Sequence, residues 1–122
     1  MTTRLPRLDF RDAQSRVAIL RTEAVRTSAH FGWESLYFEH REAERFETVE
    51  HVIPDHYLMV KLNSGSKADR MIDGVMRTEH QRRGSAVYLP SGCAHRVRYE
   101  STLGRLHLMT LAPSLVETVA AE

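Results

Sequence analysis

The sequence contains a single cysteine, Cys93, among its 122 residues, so the chain cannot form an internal disulfide bond. This fits a reducing compartment, and we predict a cytoplasmic location. No apolar run approaches the roughly 20 residues that a membrane-spanning helix needs. The N-terminal segment MTTRLPRLDFRD is too charged for a signal peptide. We therefore expect no membrane partner.

The chain also lacks an excess of charge of either sign. Its 17 Lys and Arg residues balance 16 Asp and Glu residues, which leaves a net charge of +1. Nucleic-acid-binding domains usually carry a strong basic excess, so direct binding of DNA or RNA by this chain is disfavoured. With 42% hydrophobic and 27% charged residues the composition is that of an ordinary globular domain. We predict one domain over residues 1–122.

Short segments with strand character, separated by turn residues, follow one another from residue 33 onward. The segment from Trp33 to His40 is rich in aromatic residues, and apolar residues alternate from His56 to Leu62. Asp73-Gly74 separates two further runs and is a strong signal for a β-hairpin. Short strands at regular spacing predict a β-sandwich or β-barrel.

The two ends of the chain and one connection differ from this pattern. Residues 1–30 form an N-terminal arm of undetermined structure, in which residues 16–24 fit either a strand or a helix. The charged residues 41–47 suggest a solvated connection or an exposed strand end. Pro113 suits the first position of a helix, and the segment 113–122 places Leu115, Val116 and Val119 on one face. We predict that a C-terminal helix starts there.

The segment from Gly84 to His95 has the spacing G-x5-P-x-G-x2-H. Gly84 permits the turn into a strand, and Pro90 with Gly92 shapes a tight turn at its end. His95 then begins the next strand, where the pleat turns it to the same face as Val97 and Tyr99. If that face is the inside of a barrel, His95 points into its interior.

This spacing resembles the second signature motif of the cupin superfamily, although Tyr99 stands where the family pattern has an Asn. The first cupin motif, H-x-H followed by a Glu and a terminal Gly, can be placed in two ways. One placement runs from Gly32 to Glu44, with His40 in register and Phe38 in place of the first His. The preferred placement ends at Gly65 and puts His51 at the first ligand position, Ile53 at the second and Leu58 at the Glu position.

Either placement leaves the family's metal ligands incomplete, because a metal site needs about three or four well-placed N or O ligands. The preferred placement offers His51 and His95 alone, while His56 and His107 cannot be positioned from the sequence. We therefore predict no metal and no cofactor.

Five short features follow one another along the chain: Gly32-Trp33, Pro54-Asp55-His56 before an apolar strand, the Asp73-Gly74 hairpin, the turn of residues 84–95, and Leu106-His107-Leu108 before the Pro113 helix. Over residues 30–122 this order resembles the N-terminal sensing domain of AraC-type transcription regulators. The resemblance implies an all-β fold, a cupin-like β-barrel (double-sheet jelly roll) with a C-terminal α-helix. It also implies that DNA is bound by helix-turn-helix units C-terminal to the barrel, to which nothing in this chain corresponds.

We accordingly predict a non-enzymatic effector-binding and dimerisation domain that binds a small molecule and forms a homodimer. The pocket candidates are His95, Tyr99, Trp33, Tyr88 and His51. Each has an alternative role. His95 could be a histidine that is hydrogen-bonded at a barrel mouth, and His51 a surface or strand-end residue. Packing is the alternative for the three aromatic residues. Two other hypotheses stay open: a stand-alone cupin enzyme with a divalent metal at His95, and a structural dimerisation module with a filled barrel.

Overall fold

The computed structural model describes residues 4–20, 24–63 and 65–122. Within these described ranges there are two helices, one short 3-10 helix (Ala29–Phe31) and nine strands. In chain order the helices and strands are α1 (Ala13–Leu20), β1 (Arg26–Thr27), β2 (Leu36–Ala43), β3 (His51–Val52), β4 (His56–Lys61), β5 (Ser66–Ile72), β6 (Val75–Gln81), β7 (Ala86–Leu89), β8 (Ala94–Tyr99), β9 (Gly104–Leu111) and α2 (Pro113–Ala120).

The strands form two sheets that face each other across one interior. The five-stranded sheet has the order β1-β2-β9-β4-β7, and the four-stranded sheet has the order β3-β8-β5-β6. Neighbouring strands are antiparallel in both sheets. Buried side chains of both sheets meet in one core. This is the predicted double-sheet jelly roll, and its C-terminal helix is also confirmed.

The turns predicted from glycine are present. Asp73 and Gly74 both have positive φ, 47° and 83°, and they join β5 to β6 as a tight hairpin. These values are those of a two-residue hairpin turn, which a residue pair such as Asp-Gly adopts most easily. Gly92, with a φ of 80°, closes the turn before β8.

Polar residues, not only apolar ones, face the interior of the five-stranded sheet. In β2 the inward positions are occupied by Tyr37, Glu39, Arg41 and Ala43, each at most 3% exposed. In β4 Tyr57, Met59 and Lys61 face inward, while Leu58 and Val60 lie half-buried on the outer face. Strands β2 and β4 both pair with β9, so their inward residues lie in common rows with Leu106, Leu108 and Thr110.

Two expectations for the first half of the chain need correction. The strand expected at Trp33 begins at Leu36 and continues to Ala43. Arg41 is therefore not part of a solvated connection but is 0% exposed inside the barrel. The reason is the pleat: Arg41 follows Tyr37 and Glu39 at intervals of two and so shares their inward face.

The N-terminal arm forms a helix and covers one end of the barrel. Phe10, Ile19 and Leu20, each at most 4% exposed, pack into the core, and we call these three residues the roof. The Phe10 ring lies 5.6 Å from the ring of Tyr57. The segment 16–24 is thus helical as far as Leu20, and residues 21–23 lie outside the described ranges. Among the described residues, no helix is long and apolar enough to cross a membrane.

Candidate functional site

The candidate site lies inside the barrel, below the roof, where buried polar side chains of the four-stranded sheet meet apolar side chains of both sheets. It is built around Arg70 on β5, which is 2% exposed. A buried guanidinium needs hydrogen-bond acceptors because its charge has lost the solvation of water. The neighbouring strands supply them.

Arg70 makes three hydrogen bonds to three different side chains. Its Nε donates to Glu79 Oε1 at 2.8 Å, and its Nη2 donates to the Tyr99 hydroxyl at 3.0 Å. Its Nη1 lies 2.6 Å from His95 Nε2. Gln81 Nε2 also donates to the Tyr99 hydroxyl, at 3.1 Å. The cluster therefore ties β5, β6 and β8 together through buried polar contacts.

His51 and His95, which we call the His pair, lie side by side at the covered end of the barrel. They are direct partners in the antiparallel pairing of β3 with β8. Their rings are 5.2 Å apart and nearly perpendicular, at 82°. His51 is 0% exposed and His95 is 5% exposed. Both side chains line the interior cavity.

Each ring of the His pair leaves one nitrogen without a hydrogen-bond partner among the described residues. His51 Nδ1 lies 2.7 Å from the Val49 carbonyl oxygen, which leaves Nε2 unpaired. His95 Nε2 is occupied by Arg70, which leaves Nδ1 unpaired. Buried polar atoms without a partner are uncommon and call for an explanation.

Both histidines are held neutral. Burial, followed by the charges of Arg70 and His51, lowers the pKa of His95 to about 3. Burial also lowers the pKa of His51. The part of the interior around the His pair therefore presents two neutral imidazoles beside the Arg70 guanidinium.

The cavity beneath the roof is small and mostly apolar. Its volume is about 10 Å³, close to the space that one water molecule needs. The residues that line it are Phe10, Ile19, Leu20, Phe46, His51, Ile53, Tyr57, Met59, Arg70, His95, Val97 and Tyr99. With the roof in place the barrel is filled.

A second buried polar cluster lies on the five-stranded sheet. Glu39 is ion-paired with Arg41 and accepts a hydrogen bond of 2.8 Å from the Tyr37 hydroxyl. The Arg16 guanidinium of α1 lies 5.0 Å from the centre of the Tyr37 ring. Sequence reasoning missed this cluster and Arg70 as well. The spacing of two from Tyr37 to Arg41 was the one available signal for the former, and no local signal marked Arg70.

Of the five pocket candidates, the structure brings together three: His51, His95 and Tyr99. Tyr88 lies elsewhere, because its neighbours Val87 and Leu89 face inward and the pleat turns Tyr88 out, where it is 56% exposed. Its hydroxyl lies 2.9 Å from His56 Nδ1 on the outer surface. Trp33 is 49% exposed and lines a separate surface pocket together with Phe31.

The residues around the His pair do not fit the metal site that the cupin motif implies. Of the two placements of the first motif, the one through Phe38 and His40 puts both side chains on the outer face of β2. The other brings His51 beside His95, but Ile53 is apolar and Leu58 faces outward. Arg70 occupies His95 Nε2, and the described residues contain no group of three or more His, Cys, Asp or Glu side chains able to hold a metal.

Comparison with known proteins gives little similarity in sequence. No family model matches the chain. It is 31% identical over 80 residues to the lysine-specific demethylase JMJ27 of Arabidopsis thaliana. That match covers 66% of this chain and 10% of the demethylase, so the chain spans about a tenth of the curated relative's length.

Solved structures resemble the chain more extensively. The EutQ protein of Clostridium difficile superposes with a TM-score of 0.54 at 14% identity, over 75% of this chain and 66% of that protein. An RmlC-like cupin with a double-stranded β-helix fold from Methanocaldococcus jannaschii gives 0.52 at 11% identity, over 70% and 78%. Hydroquinone 1,2-dioxygenase PnpCD, solved with Fe³⁺, gives 0.51 at 20% identity, over 72% and 29%. Together with the two-sheet topology, these similarities show that the chain has the cupin fold.

Proposed function

We propose that this chain is the effector-binding and dimerisation domain of a cytoplasmic AraC-type transcription regulator, without catalytic activity of its own. The cupin fold suits a small-molecule-binding domain, since barrels of this size enclose at most one small ligand. The observation that carries the proposal is the buried polar site of Arg70, Tyr99 and the His pair directly under the roof. The order of turns and strands over residues 30–122 supports the AraC-type assignment.

The roof supports a sensing role because it belongs to a separate, N-terminal element and closes the barrel end that holds the polar site. The arm that carries it is attached to the barrel by an ion pair of 3.2 Å between Arg11 and Asp55 and by a backbone hydrogen bond of 2.9 Å from the Leu8 amide to the Val52 carbonyl oxygen. A small molecule can reach the site if the roof is displaced or repacked. An effector that prefers one of these two arrangements shifts the population between them.

The outer faces of the two sheets differ in a way that supports dimerisation. The four-stranded sheet exposes charged side chains, among them Lys67, Arg96 and Arg98. The outer face of the five-stranded sheet is mainly apolar and aromatic, and half-buried side chains on it are Leu36, Phe38, His40, Leu58, Val60, His107, Met109 and Leu111. Contiguous exposed apolar surface marks interaction sites, and we propose that a second copy covers this face.

In the proposed regulator, helix α2 connects this face to a further domain. It follows β9 directly, and the Ala112 amide donates to the Ser35 carbonyl oxygen at 2.9 Å, which fixes its start beside β2. Val116 and Val119 are 37% and 62% exposed, so α2 has apolar surface left for another subunit or domain. A change in the pairing of two barrels would thereby change the orientation of the segments that follow.

The proposal is tested on the purified 122-residue chain by two measurements. Sedimentation equilibrium at micromolar concentration should show a dimer. A thermal-shift screen of sugars, aromatic acids, phenols and other small metabolites should contain stabilising compounds, because a ligand that binds only the folded state at a hundredfold excess over its Kd adds about 2.7 kcal/mol. A chain that stays monomeric and is stabilised by no compound would refute the proposal.

A further inference from the structure

The hydrogen-bond roles of the His pair are fixed by the partners that each ring already has. A carbonyl oxygen can only accept, so the Nδ1 of His51 carries the proton that points to Val49, and His51 Nε2 is a bare acceptor. A guanidinium can only donate, so His95 Nε2 accepts from Arg70. Because an imidazole ring carries at least one proton and His95 Nε2 is an acceptor here, the proton is on Nδ1. The pair therefore offers one unpaired acceptor and one unpaired donor.

We infer that the His pair binds one hydroxyl group of the effector, and that the effector is a small phenol or alcohol with an otherwise apolar body. This inference rests on the proposed function. A hydroxyl group is the simplest group that can donate to His51 Nε2 and accept from His95 Nδ1 through a single atom. A carboxylate can only accept and would leave the acceptor of His51 unpaired, and an ammonium group can only donate and would leave the donor of His95 unpaired.

The walls of the site exclude a ligand with many polar groups. Apart from the His pair, Arg70, Tyr99 and the hydroxyl group of Tyr57, the cavity is lined by apolar side chains. Arg70 already donates three hydrogen bonds, and the Tyr99 hydroxyl already accepts two. A sugar would bring several hydroxyl groups against apolar walls, and each unpaired hydroxyl would weaken binding.

The ligand would take space that the roof now fills. A cavity of about 10 Å³ cannot hold a ring, so a phenol has to displace Phe10, Ile19 or Leu20 from the barrel end. Those side chains then leave an apolar volume next to the His pair. The polar end of the ligand meets the imidazoles, and its body replaces the apolar contacts of the roof.

The test compares three monosubstituted benzenes on the full chain: phenol, toluene of equal size, and the slightly larger benzoate. Calorimetric titration should show that phenol binds about tenfold more tightly than toluene, the factor that corresponds to one net hydrogen bond. Benzoate should bind more weakly than phenol. In His51→Phe, which fills the same place without an acceptor, the preference for phenol over toluene should fall, because only the His95 Nδ1 donor is left to pair with the hydroxyl. His51→Gln, whose amide oxygen restores an acceptor, should regain part of the preference, and the exposed His80→Phe should keep all of it.

A second measurement does not depend on how well a variant folds. The ¹⁵N resonance of His51 Nε2 in the unmodified chain should move when phenol is added and stay in place with toluene, because a lone pair that accepts a hydrogen bond changes its shielding. The inference is wrong if phenol and toluene bind equally to the unmodified chain, if none of the three probes binds, or if benzoate is preferred. In each case a dimer stabilised by some other metabolite would still support the proposed function.

Discussion

Acidification from pH 7 to pH 5 should destabilise this chain, and His95 should account for a large part of the loss. His95 is 5% exposed, and burial, Arg70 and His51 together lower its pKa from the ordinary value of 6.5 to about 3. At a pH between these two pKa values, His95 binds a proton in the unfolded chain but not in the folded chain. The free energy of unfolding is therefore unaffected by His95 above pH 6.5 and falls as the pH decreases toward 3.

The size of the effect follows from the distance to the ordinary pKa. At pH 5, about 1.5 units below that value, protonation of His95 in the unfolded chain lowers the free energy of unfolding by about 2 kcal/mol. For a domain of this length that corresponds to a fall in Tm of roughly 6–12 °C. His51 acts in the same direction because burial lowers its pKa as well.

Urea denaturation at pH 7, 6 and 5 measures this loss. His95→Gln keeps an oxygen that can accept from Arg70 but cannot take up a proton, so it should lose about 2 kcal/mol less than the unmodified chain between pH 7 and pH 5. The matched control, exposed His80→Gln, should lose as much as the unmodified chain. Equal losses in the unmodified chain and in His95→Gln, together with an NMR titration in which His95 is protonated at pH 5, would refute the reasoning.

Three further outcomes are expected. Phe10→Ala should lower the free energy of unfolding in urea by about 3–5 kcal/mol, because Phe10 is 1% exposed. Phe31, at 58% exposed, is the control, and Phe31→Ala should change the free energy of unfolding by less than about 1 kcal/mol. Equal effects would contradict the packing of the roof into the core. Phe38→Asp on the outer apolar face should shift the sedimentation equilibrium toward monomer, and His80→Asp on the opposite sheet should not; a dimer unaffected by Phe38→Asp would place the interface elsewhere. Elemental analysis of purified protein should find no stoichiometric metal, and stoichiometric metal that disappears in His95→Ala would instead favour the metalloenzyme hypothesis.

Local signals in the sequence were enough to predict most of the strand and turn pattern. Asp73-Gly74 and Gly92 adopt positive φ, which their residue types permit at low cost, and the turns therefore fall where the sequence predicts them. Pro113 begins α2 for a similarly local reason, since its fixed φ suits a first helical turn. The motif ending at His95 predicted that this side chain shares one face with Val97 and Tyr99, because the pleat decides which residues of a strand lie on the same side.

The sequence did not show which face of each strand is buried. In β2 and β4 the alternation is plain, yet apolar Leu58 and Val60 face outward while Lys61 and Arg41 face inward. A rule that places apolar residues inside chooses the wrong face there. Which face of a strand points outward is decided by the strands that it pairs with and by the elements that cover the sheet. Both depend on residues far apart in the chain.

The tertiary structure alone assembled the candidate site. The sequence marked His51 and His95 as candidates that lie far apart along the chain, but only the pairing of β3 with β8 makes them neighbours. Arg70 becomes part of the site because β5 pairs with the other edge of β8. The roof becomes part of it because α1 packs over the barrel end. Backbone conformation is set within a few residues and can be predicted from the sequence, whereas the burial, protonation and unpaired nitrogens of the His pair arise from contacts between distant segments.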